Sequence, residues 1–333
     1  MRAMKLGGKG KVVVFEKPTP LPEDDWVVVK VTSSGICGTD IELLLPAEQP
    51  LPTIPGHEVA GVVAAVDRAK KVKVGDRVMV NCHVTCNTCE HCLKGDVIFC
   101  PQLRVIGFEL DGGDAEYLLI PEASLRLLPD DISDEVGVLI ADALGTPYHA
   151  AKKAGIRPGE YVGVFGVGPL GQMAVLSAKS FGAKLIAVDL NERRLETARK
   201  FGADHTINPQ DPDSRKQILA LTGNRGLDRS LECSGAASAI HLSLNTLTNR
   251  GKHVQVGVCT KIELNPFEQI NNREIEIVGS RNFNNNELPE LLDFVRRHPE
   301  VQAVITHRFP LEQAPKAFEI AARAEGLKIL LKP

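Results

Sequence analysis

Between Lys11 and about Leu128 the chain alternates short β-branched runs, KVVVFE, WVVVKVTS, VAGVVAAV, RVMVNC and AEYLLI, with clusters of Gly, Pro and Asp. Strands so closely spaced predict an antiparallel, barrel-like domain. The pattern changes after Pro129. From about Gly145 a strand, YVGVFG, is followed by an amphipathic helix, PLGQMAVLSAKSFG, a strand, KLIAVD, and a second helix, NERRLETARKFGA. This alternation predicts a parallel sheet covered by helices. LDRSLECSG, GKHVQVGV and EIEIVGS add buried strands up to Ser280. Beyond it, helical ELPELLDFVRRH and LEQAPKAFEIAARA accompany strand-like AVITHRF and LKILLKP. Periodicity alone leaves open which domain this tail closes.

A chain of 333 residues exceeds one core of average size, so two domains with a cleft between them are expected. With 43% hydrophobic residues and a formal charge of -3, it can bury ordinary cores but offers no strong field to nucleic acid or acidic membranes. Neither is expected as a partner. The opening MRAMKLGGKGKVVVFE has no apolar signal region, and no stretch approaches the roughly 18 apolar residues of a membrane span. A cytoplasmic protein is expected. Of eight cysteines, half lie between Cys86 and Cys100, which is metal spacing rather than a disulfide framework.

Those four, Cys86, Cys89, Cys92 and Cys100, are spaced C-x2-C-x2-C-x7-C. Four thiolates so placed can wrap a tetrahedral zinc ion in a closed structural site. An iron-sulfur cluster also takes four thiolates, but its ferredoxin run ends on a shorter gap. A second set is dispersed. Cys37 in GICGTD and His57 with Glu58 in PGHE each come close after a glycine that frees the backbone to aim a side chain into a cavity. A catalytic zinc needs about three protein ligands and an exchangeable position, so a thiolate, an imidazole and a carboxylate form a reasonable set. The carboxylate could be Glu58 or, downstream, Asp142.

VGVFGVGPLG places Gly166, Gly168 and Gly171 in G-x-G-x-x-G between strand and helix, with Pro169 and Leu170 opening the helix. The first glycine permits the turn, the second admits a pyrophosphate to the backbone, and the third lets helix and strand pack. Asp189 ends the next strand, about 18 residues on, where a carboxylate binds ribose hydroxyls and repels a 2′-phosphate. NAD is therefore expected over NADP, with Arg193 and Arg194 near enough to moderate the preference. A flavodoxin-like sheet is the competing reading.

In this order GICGTD, PGHEVAGVV, VGDRV, the four-cysteine segment, DGGDAEY, GVGPLG and the Asp189 strand resemble the zinc-containing medium-chain dehydrogenases, the family of alcohol, sorbitol, threonine and glucose dehydrogenases. The resemblance spans essentially the whole chain. It implies a GroES-like β-barrel catalytic domain, residues 1–143 and 281–333, interrupted by a doubly wound Rossmann domain, residues 144–280. It further implies two zinc ions per chain, NAD as cofactor, a small alcohol or ketone as substrate, and a homo-oligomer, tetramer or dimer. Cys37 and His57 match family zinc ligands, and Glu58 matches a carboxylate that ligates in some members only. Asp142 in IADALGTPYHA stands where simple alcohol dehydrogenases often have Cys and polyol, threonine and glucose enzymes have Glu or Asp. This moves the expected substrate toward polyols, sugars and hydroxylated amino acids, with threonine-type or simple secondary-alcohol oxidation as alternatives. Thr39 matches the proton-relay hydroxyl and Asp40 the carboxylate that orients His57. Glu42 stands where the family often has His. Phe108 and Glu109 fall in a segment that tends to approach substrate, and Arg281 and Asn282 in one that often faces the nicotinamide. Cys82, Cys233 and Cys259 are expected to be buried fillers.

The implied chemistry is deprotonation of a zinc-held alcohol through Thr39 and loss of its carbon-bound hydrogen as hydride to the nicotinamide, with cleft closure excluding water. A zinc-free enone or quinone reductase would have no use for Cys37, His57 or the cysteine lobe. A non-catalytic dinucleotide- or zinc-binding protein would not need Cys37, Thr39, His57 and Asp189 together.

Overall fold

The computed structural model describes residues 1–333, which form two compact units: Met1–Ala143 with Asn284–Pro333, and Leu144–Phe283. No helix is long and apolar enough to cross a membrane.

The first unit is organised around the long strand Trp26–Ile36. Glu58–Ala65 runs antiparallel along one edge. The other edge is shared: Tyr117–Pro121 pairs with the first half and Lys328–Lys332 with the last, both antiparallel. Arg77–Val80 and Leu125–Leu127 continue the sheet beyond Glu58–Ala65. The alternating valines Val27, Val29 and Val31 meet Val59, Val63, Val78, Val80, Leu118 and Ile120 in one apolar core, as the period-2 pattern requires. Two features depart from the expected barrel. Val12–Glu16 joins no strand of this sheet but pairs with Arg2–Leu6 in a two-stranded sheet of its own. The final pair, Ile305–Pro310 and Lys328–Lys332, is parallel, joined through the helix Ala314–Ala322, because parallel neighbours need such a crossover.

A helix that sequence reading missed, Asp134–Ala141, follows Pro129; Ser133 caps it by accepting a hydrogen bond from the Val136 amide. Its residues from Val136 to Ala141 are buried, and it ends at Asp142. The four cysteines lie on a lobe framed by the strand pair His83–Val84 and Arg104–Val105. The tail docks there through asparagines: Asn284 donates to the Lys94 carbonyl and to Asp96 Oδ1, at 3.1 and 2.6 Å, and Asn286 donates to the Lys94 carbonyl.

The second unit is a six-stranded, wholly parallel sheet in the spatial order His205–Ile207, Lys184–Val188, Tyr161–Phe165, Leu227–Glu232, Leu247–Gln255, Glu276–Gly279. Numbered along the chain this is 3-2-1-4-5-6, the doubly wound Rossmann order, whose switch point lies between Tyr161–Phe165 and Leu227–Glu232. Five of these strands are apparent in the sequence. The sixth, His205–Ile207, is only three residues long and two of them are polar.

Candidate metal centre and dinucleotide site

Cys37 follows directly on the central strand, and His57 directly precedes the neighbouring strand, so antiparallel pairing brings the two together. The end of the Asp134–Ala141 helix delivers Asp142 to the same point. Cys37 Sγ is 3.5 Å and His57 Nε2 is 3.8 Å from Asp142 Oδ2. Ligand atoms of Cys37, His57, Glu58 and Asp142 all lie within 4.8 Å of one another, and all four residues are buried. Ligands around a tetrahedral zinc, at roughly 2.0–2.3 Å each, stand roughly 3.3–3.8 Å apart. The Cys37, His57 and Asp142 separations suit that ion.

The charge balance suits it too. Burial alone would push the His57 pKa down, but Asp40 and Cys37 carry it well above its ordinary value, and burial pushes the Cys37 thiol up. Cys37, Glu58 and Asp142 together bring more potential negative charge than the one ammonium of Lys328 balances, an excess that a divalent cation would neutralise. Asp40 is buried; its Oδ2 accepts from the Cys37 amide at 2.9 Å, while Oδ1 lies 3.5 Å from His57 Nδ1. That arrangement turns Nε2 toward Cys37 and Asp142.

Glu58 is oriented differently. Both of its carboxylate oxygens accept from the Lys328 ammonium, at 2.6 and 2.7 Å, and both residues are essentially inaccessible to solvent. Together with Cys37 and Asp142, Glu58 holds the Lys328 pKa above its ordinary value, against the opposing effect of burial. Lys328 went unnoticed in the sequence, since a lysine in LKILLKP reads as an exposed position in an apolar strand. Gly35, expected to free the backbone ahead of Cys37, is instead extended and needed for space. It is paired with Glu58 in the sheet, and a Cβ there would overlap Glu58 Oε2 and come within 2.9 Å of Val138 Cγ1. Gly56, at φ +94°, is likewise crowded by Asp114, whose carboxyl accepts from Ser34 Oγ at 2.6 Å and is raised by burial and by Asp40 to about 7.

Thr39 is half-buried, its Oγ1 3.8 Å from Cys37 Sγ. Glu42 is exposed on the π-helical turn Asp40–Leu44 and makes no hydrogen bond to Thr39; partial burial raises its pKa. Phe108 is brought to the centre, its ring 5.5 Å from that of His57. Glu109 is not: its carboxylate accepts from the Val105 amide at 2.8 Å. Arg281 is exposed and Asn282 adopts φ +50° at the end of the second unit.

In the lobe, Cys86 Sγ lies 3.9 Å from that of Cys92 and 3.6 Å from that of Cys100, and Cys89 and Cys92 are 3.5 Å apart. Four sulfurs at ~2.3 Å from one zinc are ~3.8 Å apart, so these separations suit a single ion better than a multinuclear cluster. Amides of Cys86, Cys89 and Gln102 point at the sulfurs of Cys100, Cys86 and Cys100, donors that favour thiolates. No cysteine is in a disulfide. Cys82 is buried as expected, while Cys233 and Cys259 are half-buried.

In the second unit Gly166 turns at φ +78°, with Ser234 too close to admit a side chain, and a Cβ on Gly171 would collide with the Gly166 carbonyl. Gly168 differs: a Cβ there would meet nothing nearer than Arg194 Nη1 at 3.7 Å. Its bareness is not demanded by protein packing, and it leaves room over the start of the Pro169–Ser180 helix, which has no side-chain cap and includes Leu170 in its first turn. A pyrophosphate fits such a site. Asp189 accepts from the Val167 amide at 2.7 Å and from the Asn191 amide at 2.8 Å, with Arg194 Nη1 4.0 Å away. Arg193 is exposed.

Comparison with known proteins agrees with these features. Residues 23–130 match the alcohol dehydrogenase GroES-like domain, and residues 169–297 the zinc-binding dehydrogenase domain. The chain is 34% identical to sorbitol dehydrogenase of Bacillus subtilis (strain 168), over all of this chain and 97% of that protein. Its fold superposes on the alcohol dehydrogenase of Thermus sp. ATN1 with a TM-score of 0.92 at 30% identity, covering 100% of this chain and 99% of that one. A zinc-binding dehydrogenase from Sinorhizobium meliloti 1021 bound to NADP gives 0.90 at 30% identity, with the same coverage. The chain thus belongs to the zinc-type medium-chain dehydrogenase/reductase family, a zinc-dependent oxidoreductase that exchanges hydride between an alcohol and a nicotinamide dinucleotide.

Proposed function

We propose that the protein oxidises a secondary alcohol of a polyol, sugar or related hydroxylated metabolite, using NAD. The observation that carries this reading is the carboxylate Asp142 standing with Cys37 and His57, together with the likeness to a sorbitol dehydrogenase. Residues 1–143 and the returning tail act as the catalytic domain, and the parallel-sheet unit as the dinucleotide domain. Cys37, His57 and Asp142 hold the catalytic zinc, with Glu58 beside it. Cys86, Cys89, Cys92 and Cys100 hold a structural one. Gly166, Gly168, Pro169, Leu170 and Gly171 form the pyrophosphate cradle, and Asp189 and Arg194 the adenosine side.

When bound, zinc supplies a Lewis acid that lowers the pKa of an alcohol hydroxyl, and the nicotinamide supplies the hydride acceptor. The chain's own residues do the rest. Asp40 fixes the His57 ring. Thr39 Oγ1 accepts the substrate's hydroxyl proton and gives up its own toward solvent, from which the exposed Glu42 takes it through water. Asp189, with both oxygens already holding backbone amides, presents a fixed anion that accepts from ribose hydroxyls and opposes a 2′-phosphate. A cytoplasmic setting belongs to the same reading, in which five of the eight cysteines serve zinc rather than disulfides. A homo-oligomer, tetramer or dimer, acting on a small molecule completes the proposal.

The test is metal analysis followed by NAD reduction with polyols, sugars, hydroxylated amino acids and simple secondary alcohols. About two zinc ions per chain and fastest turnover with a polyol or sugar are expected. One ion with full activity, or activity confined to simple alcohols, would overturn the reading.

A further inference from the structure

A line of polar side chains runs through the interior of the parallel-sheet unit. His253, in the strand Leu247–Gln255, is 1% exposed, and burial pushes its pKa below the ordinary value. Its Nδ1 lies 3.1 Å from Ser230 Oγ and 2.9 Å from Ser243 Oγ, and its Nε2 lies 3.0 Å from Gln255 Oε1. Gln255 Nε2 donates to Glu232 Oε2 at 2.7 Å and to the Gly257 carbonyl at 2.8 Å. With its amide hydrogens so engaged, Gln255 turns an acceptor to the ring, so the imidazole proton sits on Nε2 and Nδ1 accepts from the two hydroxyls. The chain of hydrogen bonds therefore has one direction, from the serines to Glu232.

Glu232 ends its strand fully buried and takes its remaining hydrogen bonds from the turn that follows: from the Ser234 amide at 2.9 Å, from Ser234 Oγ, and from the Gly235 amide at 3.1 and 3.0 Å. That turn sits where three strand ends meet. A Cβ on Gly166 would come within 2.5 Å of Ser234 Cβ, and Cβ atoms on Gly235 and Gly257 would overlap the Val258 carbonyl oxygen and the Gly235 nitrogen. Gly166 follows the first strand of the sheet and Glu232 ends the fourth, so the turn stands at the switch point, where a dinucleotide lies across the sheet. Asp189, on the first half of the sheet, is the adenosine side. The second half, to which Glu232 and Gln255 belong, is left for the nicotinamide.

Resting on the dinucleotide assignment above, we propose that His253 is a positioning residue for the nicotinamide half of the cofactor: through Gln255 it fixes Glu232, and Glu232 holds the turn of Ser234 and Gly235 in the shape that receives the nicotinamide nucleotide. Without Gln255, Glu232 keeps the donors of its own turn but loses the tie to the neighbouring strand, and the turn is free to shift. A histidine that only packs would behave otherwise: its loss would loosen the whole sheet and weaken both halves of the cofactor site together.

ADP, which carries adenosine and pyrophosphate but no nicotinamide, separates the two cases when set beside NADH. In His253→Phe, which keeps a ring and removes both nitrogens, NADH affinity read from nicotinamide fluorescence should fall at least ~10-fold, while ADP affinity read by titration calorimetry stays within about 2-fold. Amide exchange at residues 234–236 should quicken. His253→Gln, whose amide can still donate to Gln255, should recover most of the NADH affinity. Gln255→Leu should reproduce the loss, and His253→Phe with Gln255→Leu should be no worse than either alone, since both cut one chain. Equal losses for ADP and NADH, or undiminished NADH affinity in a folded His253→Phe protein, would overturn the proposal. Should His253→Phe fail to fold, Gln255→Leu decides by the same comparison. A parent protein that binds neither ADP nor NADH would instead sink the dinucleotide reading and this proposal with it.

Discussion

Gly35→Ala adds a single methyl group at a crowded point of the first unit. The new Cβ would overlap Glu58 Oε2 and lie 2.9 Å from Val138 Cγ1, closer than carbon atoms pack. The backbone is extended here, so the cost is one of space and not of torsion. Overpacking of a tight core costs about 1–3 kcal/mol. Glu58 is not a flexible end that can swing aside, because it is pinned to Lys328, and Lys328 is pinned to Ile36. If the carboxylate leaves the ammonium, the penalty becomes that of splitting a buried ion pair, about 3–5 kcal/mol. The second effect should dominate. In a unit of roughly 150–250 residues each kcal/mol moves Tm by about 2–4 °C, so a drop of roughly 6–20 °C is expected. Calorimetry on the zinc-loaded protein reads this directly. Gly279→Ala is the control, because a Cβ there meets nothing within 4 Å, and it should leave Tm nearly unchanged. A Gly35→Ala protein melting within a degree or two of its parent would show that Gly35 does not make room for Glu58.

Asp189→Ser should lower kcat/KM for NAD by at least ~10-fold and raise the NADP-to-NAD ratio, because it removes both the ribose acceptor and the charge that opposes a phosphate; a parent enzyme faster with NADP would recast Arg194 as a phosphate clamp. Thr39→Val should cost on the order of 10²-fold in turnover while zinc content and NAD affinity hold, with Thr39→Ser staying active; undiminished turnover in the valine variant would end the relay. Glu135 is held below the usual carboxylate range by hydrogen bonds from Arg308, with Lys332 adding to the effect. The pair's stabilisation is therefore complete above about pH 4.3, the unfolded value, and is lost as pH falls through the lower folded value. Tm curves of the parent and Glu135→Gln, taken from about pH 6 down to about pH 3, should converge in acid; a constant gap would refute the assignment.

The valine-rich strands and the glycine triad are legible because period-2 burial and strand-turn-helix chemistry are local. Partner choice is not local. Val12–Glu16 has the composition of a core strand, but a tight return through Gly8, Lys9 and Gly10, all at positive φ, folds it onto Arg2–Leu6. His205–Ile207 has too few apolar residues to announce itself, and it is a strand because Lys184–Val188 offers it an edge. At the metal centre the residue types Cys37, His57 and Asp142 could be named in advance. The separate situation of Glu58 could not, since it depends on a lysine far along the chain and on a glycine whose reason is steric.

That distance has a consequence for how the protein is made. Glu58 precedes Lys328 by 270 residues, and the whole of Leu144–Phe283 lies between them. At synthesis rates of about 5–20 residues per second the carboxylate emerges roughly 14–54 s before its counter-ion. For that interval the ribosome-bound chain can complete the parallel sheet, which draws on no residue outside its own span. It cannot bury Glu58 as an anion beside an ammonium that does not yet exist. Nascent chains arrested before Lys328 should therefore carry a protease-resistant second unit on a first unit that is still easily digested.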